Sequence, residues 1–364
     1  MELHGGYRHK ASEETGRDVK EWIDFSANIN PFGMPESIKR AIKDEIEFCT
    51  HYPDPSCTSL VREIAKIEKV EEERIFCGNG GADVLYRYLS YKNPQKILLP
   101  VPTFVEYEFL LKNGNEEREI YYYFMKKWKD DDRNGWKNHH LSVEEDILDC
   151  IQPKLDMLIL CSPNNPTGHV ISSELLEKIV YRTKQYGIDV LIDFSFIDFV
   201  QERDYKIEQW LKEQPHVTIL HSFTKMYGIA GLRLGYAVLE KQMNYKILER
   251  YGSTWSVNHL AQISGLVALK EDGWIDKTIR YVEQEKVFLE DELNKMGIFY
   301  IHGSANYILF QKKGDMSLDK RLMERGILIR NCQNYVGLSG DYYRIAIRTH
   351  EENEYLIEQL KEVY

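Results

Sequence analysis

The sequence lacks the paired cysteines that mark a disulfide framework or a structural zinc site. Its six cysteines are scattered singly along 364 residues, without a C-x-x-C pair or a regular spacing. Isolated cysteines of this kind are typical of reduced thiols in a protein core. The sequence therefore predicts a cytoplasmic protein without a metal site.

Long apolar runs and an excess of basic charge are missing as well. No stretch approaches the roughly 18 consecutive apolar residues of a membrane-spanning helix, and residues 1–20 contain no apolar segment typical of a signal peptide. The 47 basic and 58 acidic side chains give a formal net charge of -11. This charge disfavours nucleic acid and anionic membranes as partners, so an anionic ligand would need a local basic pocket.

The composition that remains is that of an ordinary globular protein, with 43% hydrophobic and 29% charged residues. Short apolar runs at 96–99, 157–161, 189–192 and 217–220 alternate with helical segments such as 172–185. This alternation predicts an α/β layer with a mainly parallel sheet, in which ligands bind beyond the carboxyl ends of the strands.

The chain is long enough for two domains. Residues 1–45 are interpreted as an N-terminal arm and part of a small domain, 46–250 as a large domain, and 251–364 as a small α+β domain. Within these, residues 1–17 have no periodicity and predict an extended arm. The charged segment 126–140, which includes His139 and His140, predicts a solvated insertion.

Residues 222–225 (S-F-T-K), with Arg233 in the G-L-R-L-G-Y turn that follows, combine hydroxyls, an amine and a guanidinium. Such a set suits a phosphate held beside a nucleophilic lysine, which can form a Schiff base with an aldehyde. Pyridoxal phosphate carries both groups. Taken alone, these residues are more often a loop with a solvated lysine.

A glycine-rich turn, residues 78–83 (G-N-G-G-A-D), leads from a strand-like run into an apolar helix. Backbone N–H groups at such a helix start can bind an anion. Two further turns follow strand-like runs, at 162–168 (S-P-N-N-P-T-G) and at 193–196 (D-F-S-F). Their order and spacing along nearly the whole chain resemble the fold-type-I pyridoxal-phosphate enzymes of the class I and II aminotransferase group.

This resemblance implies a pyridoxal 5'-phosphate cofactor and a role for each matching residue. Lys225 would form the Schiff base and shuttle protons, and Asp193 would pair with the pyridinium nitrogen. Asn165 would donate to the ring hydroxyl, and Phe104 would stack on the ring. The cofactor phosphate would be bound by Ser222, Thr224, Arg233 and the N–H groups of Gly81 and Ala82.

The resemblance also implies a homodimer with composite active sites, because Tyr52 would reach the cofactor phosphate of the neighbouring subunit. Within the group, the ends of the chain resemble the threonine-phosphate decarboxylases of cobalamin biosynthesis. The segments that carry this likeness are 4–6, 24–31, 255–258, 328–332, 337–338 and 343–348. Phe196 agrees with it, since histidinol-phosphate aminotransferases usually carry a tyrosine there.

A decarboxylase of this type acts on a phosphorylated amino acid, L-threonine O-3-phosphate, and forms (R)-1-aminopropan-2-yl phosphate. Arg330 and Arg344 would then bind the two anionic groups of the substrate. The resemblance implies that His4, Asn28 and Asn165 complete the substrate contacts. For Arg348, a structural ion pair is the commoner role of an arginine at a strand end.

Two departures from the family pattern limit the assignment of the substrate. Phe194 replaces an acidic residue, and the turn at 78–83 lacks a hydroxyl residue. An L-serine O-phosphate decarboxylase giving ethanolamine phosphate would need the same residues, since one methyl group changes affinity by only about 1–3 kcal/mol. A histidinol-phosphate-type aminotransferase, or a non-catalytic protein that kept the cofactor fold, would share the core motifs too.

Overall fold

The computed structural model describes residues 5–114, 117–131 and 137–363. Its strands, in chain order, are β1 Ile23–Asp24, β2 Ile75–Asn79, β3 Lys96–Val101, β4 Glu119–Phe124, β5 Lys126–Asp131, β6 Lys137–Ser142, β7 Met157–Cys161, β8 Asp189–Asp193, β9 Val217–Ser222, β10 Leu234–Val238, β11 Phe299–Ile301, β12 Tyr307–Gln311, β13 Ile327–Leu328, β14 Arg330–Asn331 and β15 Tyr342–Ala346. Its helices are α1 Arg8–Thr15, α2 Glu36–Glu45, α3 Thr58–Glu68, α4 Gly81–Lys92, α5 Val105–Gly114, α6 Ile147–Cys150, α7 Ser173–Tyr186, α8 Tyr205–Lys212, α9 Phe223–Met226, α10 Lys246–Glu249, α11 His259–Ala268, α12 Trp274–Lys295, α13 Leu318–Glu324 and α14 His350–Val363. None of the described helices is both long and apolar enough to cross a membrane.

A seven-stranded sheet with the order β2-β10-β9-β8-β7-β3-β4 forms the centre of the molecule. Strands β4, β3, β7, β8 and β9 run parallel, and β10 runs antiparallel to both of its neighbours. Alternate residues of β7 belong to two different core clusters, with Leu158 and Leu160 in one and Met157 and Ile159 in the other. Both faces of the sheet are therefore covered, as expected for apolar parallel strands. The predicted mainly parallel sheet is confirmed.

A second sheet, antiparallel and four-stranded, has the order β11-β12-β15-β14 and carries Arg330 and Arg344 opposite each other in register. The N-terminal segment joins this part of the molecule, because β1 pairs in parallel with β13. Long-range pairing of this kind places residues 23–24 beside residues 327–328. The division into three domain ranges stays a prediction.

The prediction of an extended arm over residues 1–17 is wrong for its described part. Residues Arg8–Thr15 form helix α1, which ends at Gly16 in the left-handed conformation. Ala11 is the single apolar residue of this helix, so no periodicity could reveal it. The helix is stabilised by tertiary packing, since Ala11 lies in a small buried cluster with Trp22 and Leu328.

Of the charged segment 126–140, the described residues belong to strands β5 and β6, which pair antiparallel, and β6 contacts β11 of the second sheet. The His302 N–H donates to the His139 carbonyl oxygen at 2.7 Å. The His140 ring stacks on Trp128 at 3.9 Å between ring centres. The prediction of a solvated insertion is therefore wrong for the two histidines, which are half-buried. In the described ranges, no three His, Cys, Asp or Glu side chains are grouped to bind a metal ion.

Candidate active site

A cavity of about 550 Å³ lies where the carboxyl ends of β7, β8 and β9 face the second sheet. Twelve of the predicted site residues line it: Asn28, Gly81, Ala82, Phe104, Asn165, Asp193, Ser222, Thr224, Lys225, Arg233, Arg330 and Arg344. The fold thus brings together side chains that are spread over more than 300 residues of the sequence. Parallel strands end at the same edge of their sheet, so the polar groups that follow neighbouring strands lie close together.

Lys225 lies in the short helix α9, directly after β9, and its side chain is half-buried in the cavity. Its Nζ is 5.9 Å from the centre of the Phe196 ring. Burial lowers the pKa of Lys225 to about 8, and the nearby guanidinium groups of Arg344 and Arg233 contribute to this lowering. A lysine with such a pKa is partly unprotonated near neutral pH and can act as a nucleophile.

Asp193 ends β8 and is 5% exposed. Its Oδ2 accepts a hydrogen bond from the Tyr107 hydroxyl at 2.6 Å, and its Oδ1 accepts one from the Ser195 N–H at 2.8 Å. Burial and the charge of Asp193 raise the pKa of Tyr107 well above its usual value, so the phenol stays a donor. The two donors fix the carboxylate in the cavity.

Tyr107 was not predicted from the sequence, although a signal for it existed. It follows Phe104 by three residues near the start of α5, and this helical spacing places both on one face. Phe104 itself is half-buried and meets the Tyr107 ring edge-on, with 5.7 Å between the ring centres.

Asn165 and Arg344 form a buried polar network that joins the two sheets. The Arg344 guanidinium donates to the Asn165 side-chain oxygen and, at 2.8 Å, to the Ser26 carbonyl oxygen. The Tyr335 hydroxyl donates to the same Asn165 oxygen at 3.3 Å. The Arg344 Nε has no hydrogen-bond partner among the described residues. A buried guanidinium with an unused donor suits an anionic ligand.

Tyr335 is a second site residue that the sequence did not reveal. It lies in the loop between β14 and β15, and its ring centre is 5.5 Å from the guanidinium carbon of Arg330. Arg330 also donates to the Asn334 side-chain oxygen at 2.7 Å. Asn28 is a buried lining residue of the same cavity, and its Oδ1 has no partner in the part of the chain that the structure describes. No local pattern marks a tyrosine in a loop for this place.

The other end of the cavity is built from backbone and small side chains. Helix α4 begins at Gly81, and its N-cap residue Gly80 has a φ of 80° and no side chain to bind the first N–H groups. A Cβ at Gly80 would lie 2.6 Å from Nη2 of Arg233, and the positive φ favours glycine at this position. The Ser222 hydroxyl accepts from the Thr224 N–H at 3.3 Å. Together these groups suit an anion at the start of α4.

Comparison with known families identifies the family of this chain. The model of the family described as aminotransferase class I and II matches residues 20–360. The chain belongs to this family. Its members depend on pyridoxal 5'-phosphate, so the predicted family and cofactor are confirmed.

Relatives and solved structures cover nearly the whole chain of this aminotransferase-family member. A threonine-phosphate decarboxylase of Salmonella typhimurium is 36% identical and covers 99% of this chain and 96% of its own. A histidinol-phosphate aminotransferase of Methanococcus aeolicus is 31% identical, with 97% and 94% covered.

Among solved structures, the histidinol-phosphate aminotransferase from Clostridium acetobutylicum has a TM-score of 0.80 at 25% identity, covering 93% of this chain and 98% of its own. The L-threonine-O-3-phosphate decarboxylase from Porphyromonas gingivalis has a TM-score of 0.77 at 23% identity, with 93% and 98% covered. The second likeness shows the fold alone.

The residues of the cavity fit the cofactor of the family. The anion-binding start of α4 beside Arg233 suits its phosphate, the buried carboxylate of Asp193 suits its ring nitrogen, and Lys225 between them suits its aldehyde. The fit rests on the placement of these groups around one cavity.

Tyr52, His4 and Arg348 are not among the described residues that line the cavity. Tyr52 is 81% exposed, stacks on Trp255 at 4.6 Å and does not line the cavity. His4 falls outside the described residues. Arg348 forms an ion pair with Glu352 at 2.8 Å, which is the structural role expected for it.

Proposed function

We propose that this protein decarboxylates L-threonine O-3-phosphate to (R)-1-aminopropan-2-yl phosphate, the linker precursor of cobalamin. The observation that carries the proposal is the pair of buried arginines, Arg330 and Arg344, which face Lys225 across one cavity of a protein with net charge -11. Two fixed guanidinium groups suit a substrate with two anionic groups, a carboxylate and a phosphate. The 36% identical relative of that name supports the same assignment.

The bound cofactor supplies an aldehyde for the amino group of the substrate and an electron sink for the pair released when a bond at Cα breaks. The chain supplies orientation and proton transfer. Arg344 and Arg330 bind the two anions of the substrate and so fix the rotation of its Cα, which decides the bond that is cleaved. Carbon dioxide leaves with the carboxyl carbon, and Lys225 delivers the proton that replaces it on Cα.

Tyr107, Ser195 and Phe196 lie beside the two proposed catalytic side chains, Asp193 and Lys225. Tyr107 and Ser195 keep the Asp193 carboxylate aimed into the cavity through two hydrogen bonds. Phe196 is buried beside Lys225 and has no hydroxyl to offer, which is the pattern of the decarboxylases rather than of the histidinol-phosphate aminotransferases.

A mixing experiment with two readouts tests the proposal. Cofactor-loaded protein is mixed with excess L-threonine O-3-phosphate, and released carbon dioxide is measured together with the absorption of the cofactor. We expect carbon dioxide in amounts at least equal to the active sites, with the absorption returning to its starting form. Conversion of the cofactor to its amine form without carbon dioxide would replace the proposal by an aminotransferase.

The same experiment with L-serine O-phosphate compares the two candidate substrates of a decarboxylase. The missing methyl group is expected to reduce kcat/KM by roughly 10- to 100-fold, because one apolar contact contributes about 1–3 kcal/mol. Faster turnover of serine phosphate would reassign the substrate and leave the reaction type intact.

The predicted homodimer is part of the proposal, with Tyr52 binding the cofactor phosphate of the second subunit. The segment around Tyr52 and the one that carries its stacking partner expose further apolar side chains, namely Ile46, Phe48, Tyr251 and Trp255. A surface of this kind on a globular protein is typical of an interface. Light scattering combined with size-exclusion chromatography should give twice the chain mass, and a monomer with full activity would contradict the composite site. A cytoplasmic location, supported by six free cysteines, completes the proposal.

A further inference from the structure

The N-terminal arm, residues 5–17, reaches the cavity through its first two described residues. Gly5 and Gly6 both line the cavity. The Gly6 N–H donates to the Ser26 hydroxyl oxygen at 2.8 Å. A Cβ at Gly5 would lie 2.0 Å from the Ser26 carbonyl oxygen, so the arm backbone is in direct contact with that residue. The arm therefore docks on Ser26.

Ser26 is at the same time a neighbour of the anion-binding arginine. Its carbonyl oxygen accepts the 2.8 Å hydrogen bond from Nη2 of Arg344. Its hydroxyl and its N–H both donate to Oδ1 of Asp24, at 2.6 Å and 2.9 Å. Ser26 is fully buried and Asp24 nearly so. Every polar group of Ser26 is thus used, with the arm on one side and Arg344 on the other.

Two further contacts of the arm reach Asp24 and the backbone beside Arg330. Nε of Arg8 lies 3.4 Å from Oδ2 of Asp24, the second oxygen of the carboxylate that binds Ser26. The Tyr7 hydroxyl donates at 3.0 Å to the carbonyl oxygen of Ile329, which precedes Arg330 in the chain. The arm consequently contacts the backbone beside both guanidinium groups.

We propose that Ser26 and Asp24 are positioning residues that couple docking of the N-terminal arm to the orientation of Arg344. This deepens the proposed function, since it rests on Arg344 binding an anionic group of the substrate. If docking of the arm favours the orientation of Arg344 that binds the substrate, docking raises the affinity for the substrate. Thermodynamic linkage then requires that a ligand bound to Arg344 raises the docking equilibrium constant of the arm by the same factor. The arm and the substrate then stabilise each other's binding.

The substitution Ser26→Ala removes the link while keeping the carbonyl oxygen that Arg344 contacts. It leaves the Gly6 N–H without an acceptor and takes one donor from Asp24. One such hydrogen bond corresponds to about a tenfold change in equilibrium. In the cofactor-loaded enzyme we expect KM for L-threonine O-3-phosphate to rise about tenfold, with kcat within about threefold of wild type.

A readout that does not depend on turnover is cleavage of the arm by trypsin after Arg8 or Lys10, followed by mass spectrometry. Without substrate, Ser26→Ala should be cleaved about tenfold faster than wild type. With saturating L-threonine O-3-phosphate, cleavage of wild type should slow several-fold, whereas Ser26→Ala should lose this protection. Arg344→Lys should lose it as well, and adding Ser26→Ala to Arg344→Lys should produce no further loss.

Two further variants separate coupling from a general loss of stability. Thr15→Ala removes a hydroxyl that donates within α1, to the Ala11 carbonyl oxygen at 2.7 Å, and should leave KM and ligand protection unchanged. Asp24→Asn keeps an acceptor for Ser26 and removes the charge that faces Arg8. It should speed arm cleavage by a smaller factor while the melting temperature stays close to that of wild type.

The outcomes distinguish the two proposals. Equal arm cleavage in wild type and Ser26→Ala would overturn the coupling, whatever reaction the enzyme catalyses. Faster cleavage of Ser26→Ala in a protein that releases no carbon dioxide would overturn the proposed function alone. A protection by substrate that persists in Ser26→Ala would show that the arm responds by another route and would also overturn the coupling.

Discussion

The two ends of the cavity offer anion sites of different construction. At the end formed by α4, the anion site consists of backbone N–H groups, two hydroxyls and the exposed Arg233, all from segments at the edge of one sheet. At the opposite end, Arg330 and Arg344 are buried on the second sheet, and Arg344 is held by groups from distant parts of the chain. Lys225 lies between the two ends.

This difference suits a resident cofactor at one end and an exchanging substrate at the other. A helix start with a glycine turn is a permanent part of one rigid sheet. The buried arginines depend on contacts between the second sheet, the N-terminal arm and the loop that carries Asn165. An end built from several elements can respond to its ligand, whereas an end built on one sheet edge is preformed.

The largest effect is expected from Lys225→Ala, because this residue lies between the two ends and is the proposed nucleophile. Loss of the only amine in the described lining of the cavity should reduce turnover more than about a thousandfold. Carbon dioxide release under saturating substrate measures this. Lys277→Ala, which removes an exposed lysine lying over Phe32 at 4.4 Å, is the matched control and should keep full activity. Activity of Lys225→Ala above roughly a tenth of wild type would contradict the assignment.

Arg344→Ala should weaken ligand binding at the substrate end of the cavity and leave cofactor binding at the other end nearly unchanged. It removes the guanidinium that donates to the Asn165 side-chain oxygen and to the Ser26 carbonyl oxygen, and charged hydrogen bonds contribute about 1.5–3 kcal/mol each. KM for L-threonine O-3-phosphate should rise about 100-fold, while the dissociation constant of the cofactor changes less than about threefold. Steady-state kinetics and cofactor titration measure the two quantities. Arg348→Lys, just beyond the same strand, should leave both unchanged, since Arg348 pairs with Glu352.

Arg233→Ala should show the reverse pattern. Its guanidinium is exposed and lies against Gly80, so its loss weakens one charge-assisted contact at the cofactor end. The dissociation constant of the cofactor should rise about tenfold, and KM measured with saturating cofactor should change less than about threefold. If Arg233→Ala and Arg344→Ala shifted the same constant, the two ends would not be functionally distinct.

Tyr107→Phe should have a moderate effect on turnover. It acts on Asp193, which lies between the two ends and would pair with the cofactor ring. The substitution removes the 2.6 Å hydrogen bond to Asp193 and leaves its Oδ2 without this donor. We expect kcat to fall about tenfold, because a lost hydrogen bond to a charged group corresponds to about 1.5 kcal/mol or more. Tyr91→Phe, near the end of α4 and stacked edge-on with Tyr251, is a control that should retain wild-type kcat.

The smallest effect concerns the pKa of Lys225, which is about 8 before the cofactor binds. A lowered pKa means that the amine is unprotonated above about pH 8, so the rate of covalent cofactor uptake should rise between about pH 7 and 9 and then level off. Removing a positive neighbour favours the ammonium form, so Arg344→Ala and Arg233→Ala should both move the midpoint upward. The midpoint is measured by following the absorbance change of cofactor uptake at several pH values, with Lys225→Ala as the blank. A downward shift of the midpoint in either arginine variant would contradict the view that the guanidinium groups lower the pKa of Lys225.

The sequence predicted the first end of the cavity better than the second. The turns at 78–83, 193–196 and 222–225 are continuous strings whose residue types state their chemistry, and each follows a recognisable strand. Arg330 and Arg344 were found as well, but the groups that hold them were not. Tyr335 bonds to a residue 170 positions away, and the carbonyl that orients Arg344 lies 318 positions away. A single sequence carries no signal for such pairs.

Local patterns predicted the α/β layer and the order of the strand-end turns, and the resemblance carried by those turns implied the family and the cofactor. Tertiary structure alone decided that residues 8–15 form a helix, that His139 and His140 pack on the second sheet, and that Ser26 joins the arm to Arg344. Helix α1 has one apolar residue, and the hairpin is dense in charge, so neither shows its packing in its own pattern. Their structures depend on burial against distant partners, which no local pattern encodes.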